Sequence, residues 1–360
     1  MSSLIIVRAD ASQKIGSGHI MRCLVLAEAL RDTGMVVEFV TRTNLGNQDA
    51  QIKERGFVVH SLSRLYDPKL KKPLDGFGKW SNIKQYEDAN DTINTLCSRE
   101  VAWLIVDHYA LDFNWETKLR PHVKKIMVID DLADRIHECN CLLDQNYVND
   151  QTRYDHLLSA RTIKLLGPKY SLLNKSFTSV PQFDIRSSTQ IERVFIFFGS
   201  SDPYNLTSTS LVALLQPDLK HLYLDVVIGS ANPFKAEIKH LVEKHSNAEL
   251  HIQVTNMAEI MYSADIALGA GGITTWERMA IGLPSIVITV ADNQVAFTRD
   301  LSQDGYIQWL GTADQVNENI IYRALRDAML NPKKLRDQSV KCRKLVNGTG
   351  VEKVTKLLVK

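Results

Sequence analysis

The chain of 360 residues is 44% hydrophobic and 23% charged, with a formal net charge of +2, which is typical of a globular protein and excludes a disordered chain. Its length predicts two domains, because a single hydrophobic core rarely extends beyond about 250–300 residues. The net charge is too small to imply a nucleic-acid partner by itself, and no apolar run reaches the roughly 18 residues that a membrane-spanning helix needs.

The first predicted element is a short buried strand, Leu4 to Val7, without the basic start of a signal peptide. We therefore expect a cytoplasmic protein whose five cysteines are reduced. His137, Cys139 and Cys141 have a spacing that suggests metal ligands, but thiols one residue apart on an extended run point to opposite faces. No metal or other cofactor is expected.

Short apolar runs alternate with helical patterns along the chain. This alternation predicts parallel sheets connected by crossover helices. The predicted strands are Leu4 to Val7, Val36 to Val40, Phe57 to His60, Trp103 to Asp107, Ile126 to Asp130, Ile163 to Leu166, Val194 to Phe198, Leu222 to Ile228, Glu249 to Val254, Ile266 to Leu268 and Ser285 to Thr289.

The series restarts after a polar stretch with no periodicity, which predicts an interdomain linker. We predict an α/β protein with two Rossmann-like domains, at residues 1–175 and 193–345, a linker at 176–192 and a C-terminal helix at 346–360. Ligands of such sheets bind at the carboxyl ends of the strands. We therefore expect a ligand in a cleft between two facing sheets.

The turn after the first strand, IGSGHIMRC, places Gly16 and Gly18 before a helix whose first turn carries His19. The side chain lies beside the apolar face of the helix, so we expect the imidazole to project from the carboxyl edge of the strand into the cleft. The positive end of the helix dipole favours an uncharged imidazole, and a general base requires one. His19 is therefore the candidate general base.

Two other strand ends carry candidate residues for the same cleft. Tyr109 follows the strand that ends at Asp107, and Asn293 follows the strand that ends near Val290. A tyrosine after a strand is often a packing residue, and a loop asparagine often caps a helix. Their position at a carboxyl edge favours a role in the site.

Two segments of the second domain predict a diphosphate site. In FFGSSDPYNLT, a strand ends at Gly199, and the hydroxyls and amides of Ser200 and Ser201 are candidate phosphate ligands, while Asp202 and Asn205 are candidate helix caps.

The second of these segments is GAGGITTWERMAIGLP. There, Gly269, Gly271 and Gly272 precede a helix that opens with Thr274, so that backbone N–H groups can approach a phosphate closely. Glu277 lies one turn into this helix. Its carboxylate can accept hydrogen bonds from ribose hydroxyls, although an acid is also favourable in any first helical turn.

This ordered set of strand, glycine turn, acidic helix and GLP strand resembles the donor-nucleotide segment of GT-B glycosyltransferases. It is most similar to the family that adds N-acetylglucosamine to the peptidoglycan lipid precursor. The upstream QVTNMAEIMYSAD resembles the turn of that family in which main-chain groups, here near Asn256 and Met257, read uracil.

Across residues 4 to about 310, the motifs resemble the UDP-sugar hydrolases of pseudaminic acid biosynthesis, which act on UDP-2,4-diacetamido-2,4,6-trideoxy-β-L-altropyranose. The quoted matches include RADASQKIGSGHIMRCLVLA, VDHYALDFNWE, LLGPKYSLL and FGSSDPYNLT. The resemblance implies a GT-B-like fold and release of UDP by water attack at the anomeric carbon, with inversion and without a metal. UDP-sugar and water are then the expected partners, and neither a nucleic acid nor a membrane is expected.

Carried over by position, the resemblance makes His19 the base, Tyr109 and Asn293 its catalytic partners, and Glu277 the ribose ligand. Gly18, in the turn before His19, is also expected to bind UDP. One departure is Ser200, where many members of the family have glycine. The serine lowers affinity if the phosphate needs the close backbone approach that glycine allows, but a side chain this small is expected to fit.

Three alternatives remain open. A GT-B glycosyltransferase would replace water by an acceptor hydroxyl, for which the loop from Tyr66 to Trp80 is a candidate contact. A related fold is also used by UDP-sugar 2-epimerases that leave the UDP bond intact. From a different class, the chain would be a nucleotide-sugar-binding subunit without catalysis. Replacement of His19 by Ala or Asn discriminates this subunit from the enzyme, because only the enzyme loses turnover when its general base is removed.

Overall fold

The computed structural model describes residues 3–12, 16–67, 72–73, 81–179 and 190–360. The chain divides into two compact units. The first comprises residues 1–146, 150–172 and 349–360, and the second comprises residues 147–149 and 173–348.

Two predicted features fall partly or largely outside the described residues. The linker predicted at 176–192 includes residues 180–189, which the structure does not describe. Most of the loop from Tyr66 to Trp80 also lies outside the described part of the chain. Among the described residues, no helix has the length and apolar character needed to cross a membrane.

The first unit is an α/β unit built on a parallel sheet. Its described strands are β1 (Leu4–Ala9), β2 (Val36–Arg42), β3 (Val58–Leu62), β4 (Tyr66–Asp67), β5 (Lys72–Pro73), β6 (Val101–Asp107), β7 (Val123–Ile129), β8 (Cys141–Asp144) and β9 (Ile163–Leu166). Its first helices are α1 (Gly18–Asp32), α2 (Asp49–Glu54), α3 (Asn82–Leu96) and α4 (Phe113–Leu119). Seven strands form the sheet in the order β3-β2-β1-β6-β7-β8-β9, and β4 and β5 form a separate antiparallel pair.

Both faces of this sheet are covered by hydrophobic cores. Along β1, Ile5 and Val7 belong to one core, and Leu4 and Ile6 belong to the core on the other face. A strand that is buried on both faces needs a continuous apolar run, as the sequence has here. Cys139 and Cys141 likewise lie in different cores, which confirms that the two thiols point to opposite faces.

The strand order of the first sheet reverses between β1 and β6. In that parallel pair, Ala9 lies opposite Asp107, so both strands end at the same level. The loops that follow them therefore leave the sheet side by side. Such a switch point is where open parallel sheets bind their ligands.

The second unit has the same architecture. Its strands are β10 (Arg193–Phe197), β11 (Tyr223–Ile228), β12 (Ala248–Ile252), β13 (Ile266–Ala270), β14 (Ser285–Thr289) and β15 (Gln308–Thr312). Its helices are α5 (Lys175–Thr178), α6 (Leu206–Leu214), α7 (Lys235–Glu243), α8 (Met257–Ser263), α9 (Thr274–Ala280), α10 (Asp292–Gln303), α11 (Glu318–Leu330) and α12 (Pro332–Leu345). The six parallel strands are ordered β12-β11-β10-β13-β14-β15, with the switch point between β10 and β13. The prediction of two parallel-sheet α/β units is confirmed.

The last helix, α13 (Gly350–Leu358), returns to the first unit. Its buried side chains Val354 and Leu358 are one turn apart and join the core that also contains Leu24 of α1. The chain thus crosses from the first unit to the second and back again.

Candidate functional site

His19 lies in the first turn of α1 and is buried. Its Nδ1 atom is 2.5 Å from Oδ1 of Asp107, the last residue of β6. No described residue supplies a hydrogen-bond partner for Nε2 of this imidazole. When Nδ1 carries the proton that Asp107 accepts, Nε2 has the lone pair that can receive a proton from elsewhere. The pair therefore has the geometry of an oriented general base.

Asp107 is fully buried and also forms a bidentate ion pair with Arg22. Arg22 Nε donates to Oδ2 and Nη2 donates to Oδ1, each at 2.6 Å. Burial alone would raise the pKa of Asp107. The charge of the Arg22 guanidinium outweighs this effect and holds the pKa of Asp107 below its usual range. Asp107 is therefore an anion that both His19 and Arg22 share.

Tyr109 and Asp131 complete this cluster. The rings of Tyr109 and His19 are nearly perpendicular, with centroids 4.6 Å apart and an interplanar angle of 83°. The Tyr109 hydroxyl donates to Asp131 Oδ2 at 3.3 Å, and Arg22 Nη1 donates to the same oxygen at 3.3 Å. Burial and the Asp131 charge raise the pKa of Tyr109 well above its usual range, so the phenol stays protonated. The predicted residues His19 and Tyr109 are thus brought together.

A second buried network joins strand ends of the first sheet to α3. Arg8 donates to Asp10 at 2.6 Å and to Asp88 at 2.8 Å, and Arg42 donates to Asp88 at 2.6 Å. His108 Nε2 lies 3.1 Å from Asp10, and burial lowers the pKa of His108, which favours the neutral ring. All five side chains are buried. Together they join the ends of β1, β2 and β6 to α3.

In the second unit, the predicted glycine turn packs closely against the start of α10. A Cβ at Gly271 would lie 2.7 Å from Thr298 Oγ1 and 3.4 Å from Gln294 Cβ, and one at Gly272 would lie 3.9 Å from Gln294 Nε2. The close approach of α10, and not a positive φ, therefore requires glycine at position 271. Asn293 is exposed in the first turn of α10, beside Gln294. The structure thus places the predicted Asn293 next to the predicted glycine turn.

The turn after β10 is organised by Asp202. This buried carboxylate accepts hydrogen bonds from Leu206 N at 3.0 Å and Thr207 N at 2.8 Å, and so caps α6. Asn205 makes no capping hydrogen bond, and its side chain contacts Glu237 instead.

Three predicted phosphate ligands lie in this same turn. Gly199 has a φ of +97°, and Ser200 and Ser201 are exposed. Asp202 occupies the amides of Leu206 and Thr207 at the start of α6, whereas the exposed Ser200 and Ser201 are open to a ligand.

The other predicted nucleotide ligands lie along the same carboxyl edge of the second sheet. Glu277 is in the first turn of α9, and burial raises the pKa of its carboxyl to about 7. Asn256 is exposed directly before α8, and Met257 is the first residue of that helix. Gly18, by contrast, belongs to the first unit, where it begins α1.

Among the described residues, Asp225, Glu249 and His251 form the group whose ligand atoms are close enough to hold a metal ion. Arg193 already contacts both carboxylate oxygens of Asp225, at 2.5 and 2.9 Å. A metal would have to displace this ion pair, and the strands that carry it place it away from the predicted nucleotide turns.

Comparison with known proteins identifies relatives of both units. Residues 193–353 match the family model described as the glycosyltransferase family 28 C-terminal domain. The chain is 25% identical over 356 residues to the spore coat polysaccharide biosynthesis protein SpsG of Bacillus subtilis strain 168, covering 97% of this chain and 96% of that protein. It is 23% identical over 304 residues to the UDP-2,4-diacetamido-2,4,6-trideoxy-β-L-altropyranose hydrolase of Campylobacter jejuni subsp. jejuni serotype O:2, covering 84% of this chain and 97% of that protein.

Among solved structures, MurG of Acinetobacter baumannii is similar, with a TM-score of 0.69, 12% identity and 99% of each chain covered. This likeness, together with the two parallel-sheet units, confirms the GT-B-like fold class that the motifs predicted.

Proposed function

We propose that this protein is a hydrolase that releases UDP from a nucleotide sugar, with His19 as the general base. The observation that carries the proposal is the His19–Asp107 pair at 2.5 Å, which leaves Nε2 without a partner among the described residues. We further propose UDP-2,4-diacetamido-2,4,6-trideoxy-β-L-altropyranose as the substrate and pseudaminic acid biosynthesis as the pathway. The Campylobacter jejuni relative, 97% of which is covered by the match, supports this choice.

In the proposed reaction, His19 Nε2 takes a proton from a water molecule as its oxygen attacks the anomeric carbon. Asp107 stabilises the imidazolium that forms and keeps the ring oriented through Nδ1. Contact with the Tyr109 ring restricts rotation of the imidazole, and Tyr109 or Asn293 places the water on the face opposite UDP. Attack from that face inverts the configuration at the anomeric carbon.

The second unit holds the leaving group in this proposal. The turns at Gly199–Ser201 and Gly271–Gly272 bind the diphosphate, because they follow the paired strands β10 and β13. Glu277 binds the ribose, and main-chain groups near Asn256 and Met257 bind uracil. In the second sheet, β12 is three strand spacings from β13, which is about 14 Å. The uracil site after β12 and the diphosphate turn after β13 are therefore separated along the carboxyl edge of the sheet.

Departure of UDP needs little help from an acid. A diphosphate is a good leaving group, so the backbone N–H groups and hydroxyls of these turns need only stabilise the developing negative charge. The paired carboxylates of ordinary glycosidases are unnecessary for this reason. The reaction is proposed to run without a metal cofactor.

A glycosyltransferase is the second candidate, and the family 28 match of residues 193–353 favours it.

The test that distinguishes hydrolysis from transfer is incubation of the UDP-sugar with enzyme in ¹⁸O-labelled water without any acceptor, followed by NMR and mass spectrometry. The hydrolase proposal predicts that UDP is released without an acceptor. The ¹⁸O label is then found in the sugar product, whose anomeric configuration is inverted, and not in UDP. A requirement for an added acceptor would contradict hydrolysis and support transfer.

A further inference from the structure

Arg278 is a fully buried arginine beneath the glycine turn of the second unit. Its Nη2 atom donates to the Ala270 carbonyl oxygen at 2.9 Å and to Thr275 Oγ1 at 3.1 Å, and its Nη1 donates to Thr274 Oγ1 at 3.4 Å. These acceptors belong to the end of β13 and the first turn of α9. The guanidinium therefore holds both sides of the turn that Gly271 and Gly272 form.

The charge of Arg278 is not balanced by an ion pair. No carboxylate of the described residues forms an ion pair with Arg278, and its buried Nε has no hydrogen-bond partner among them. Burial lowers the pKa of Arg278 to about 10, so it remains a cation at neutral pH. The charge of the adjacent Glu277 carboxylate raises the pKa of Arg278. Burial raises the pKa of that carboxyl to about 7, however, so it is only partly ionised at neutral pH. Buried charges are normally paired, because an uncompensated one is costly.

The backbone makes room for this guanidinium. A Cβ at Gly269 would lie 2.5 Å from Arg278 Nη1 and 2.8 Å from the Phe197 carbonyl oxygen. Gly269 lies within β13, and Phe197 is the last residue of the paired strand β10. The positive charge thus sits between the ends of the two strands whose following turns are proposed to bind the diphosphate.

We propose that Arg278 is a positioning residue for a nucleoside diphosphate. Its guanidinium supplies the buried positive charge beneath both turns. This inference rests on the proposed function, since it assigns a residue to the same nucleotide site. The diphosphate provides the missing negative charge without touching the guanidinium, because charges interact strongly across a medium of low dielectric constant. Arg278 also fixes the Thr274 and Thr275 hydroxyls, so the turn is ordered before the ligand arrives.

The test compares the affinities of UDP and of uridine, which lacks the diphosphate, for four proteins by NMR and calorimetric titration. They are the wild type, Arg278→Met, Arg278→Lys and the control Arg326→Gln, which removes one surface charge of the same unit on α11. Arg278→Met is expected to bind UDP roughly 10- to 100-fold more weakly and uridine within about twofold of wild type. Arg278→Lys is expected to keep most of the preference for UDP, and Arg326→Gln all of it.

Equal loss of UDP and uridine affinity, or no loss of either, in folded Arg278→Met would overturn the inference. If that variant does not fold, Gly269→Ala supplies the test, because its Cβ displaces the guanidinium while keeping the charge in the chain. An unchanged preference for UDP in Gly269→Ala would overturn the inference. Failure of the wild type to bind UDP would contradict the proposed function itself.

Discussion

The Asp107 carboxylate is shared by two side chains of α1 that are three residues apart. His19 and Arg22 both contact Oδ1, and Arg22 also contacts Oδ2. Because Arg22 balances the charge of Asp107, the carboxylate can orient the imidazole without being a lone buried anion. In the proposed mechanism, this division of roles makes Asp107 a positioning residue.

Replacement of Asp107 by asparagine tests that role. The Asp107→Asn variant lacks the anion that favours the Nδ1–H tautomer, so we expect kcat for UDP release to fall roughly 10²- to 10⁴-fold with KM nearly unchanged. Cys23→Ala is the control, because Cys23 Sγ contacts the same carboxylate at 3.5 Å without touching the imidazole. A kcat for Asp107→Asn within about threefold of the control would argue against an oriented base.

The motifs predicted His19 and Tyr109 but not their partners. Asp107 is 88 positions from His19 in the chain, and Asp131 is further still, so their contacts depend on strand order. One signal was present: Asp107 ends a predicted strand two residues before Tyr109. Whether these residues perform catalysis stays a prediction.

The buried carboxyl of Asp144, at the end of β8, is expected to make the free energy of unfolding depend on pH. Burial raises the pKa of this carboxyl to about 7, although Arg153 lies 3.2 Å away. The folded protein then keeps a proton that the unfolded chain releases near pH 4, so this group lowers the free energy of unfolding as pH rises from about 4 to 7.

The Asp144→Asn variant removes this titration. We expect its free energy of unfolding, relative to wild type, to increase by roughly 1 to 3 kcal/mol between pH 5 and pH 8. Urea denaturation at both pH values measures the difference. A difference that is the same at pH 5 and pH 8 would show that Asp144 titrates normally.

Among the secondary-structure elements, the ends of β1, β2 and β6 are held by ion pairs as well as by hydrophobic packing. Asp88 of α3 is the centre of this network, since it accepts from Arg8, Arg42 and the Trp115 indole at 2.9 Å. Loss of one partner would leave buried charges uncompensated. The network therefore fixes the strand end from which the His19 loop departs.

Asp88→Asn is expected to lower the free energy of unfolding by about 3–5 kcal/mol. Asp91→Asn, in the same helix, is the matched control. Asp91 also pairs with Arg42, at 2.8 Å, but its side chain is 43% exposed, so its loss is expected to cost less than about 1 kcal/mol. Denaturation curves of the two variants make the comparison, and equal losses would contradict a central role for Asp88.

Most strands were predictable from their apolar runs, and the exceptions have physical causes. β4 and β5 have two residues each, β8 has four, and β15 is a partly exposed strand that contains Gly311, so none of them gives a long apolar run. β13 was expected to end at Leu268 but continues to Ala270. The glycine at position 269 suggested a turn, whereas the structure uses it to accommodate Arg278.

For the whole molecule, the alternation of strands and helices predicted two parallel-sheet units, and the fold class is confirmed. The sequence did not indicate that residues 349–360 join the first unit, because a short amphipathic helix can pack against any apolar surface. The cleft, the domain boundaries and the joint action of a base from one unit and a nucleotide site from the other stay predictions.

The most direct test of this joint action is turnover of the UDP-sugar by His19→Asn without an acceptor, measured beside UDP affinity. If His19 is the base, UDP release falls roughly 10²- to 10⁴-fold, while the affinity for UDP, bound by the second unit, is nearly unchanged. Turnover equal to that of the wild type would contradict the account.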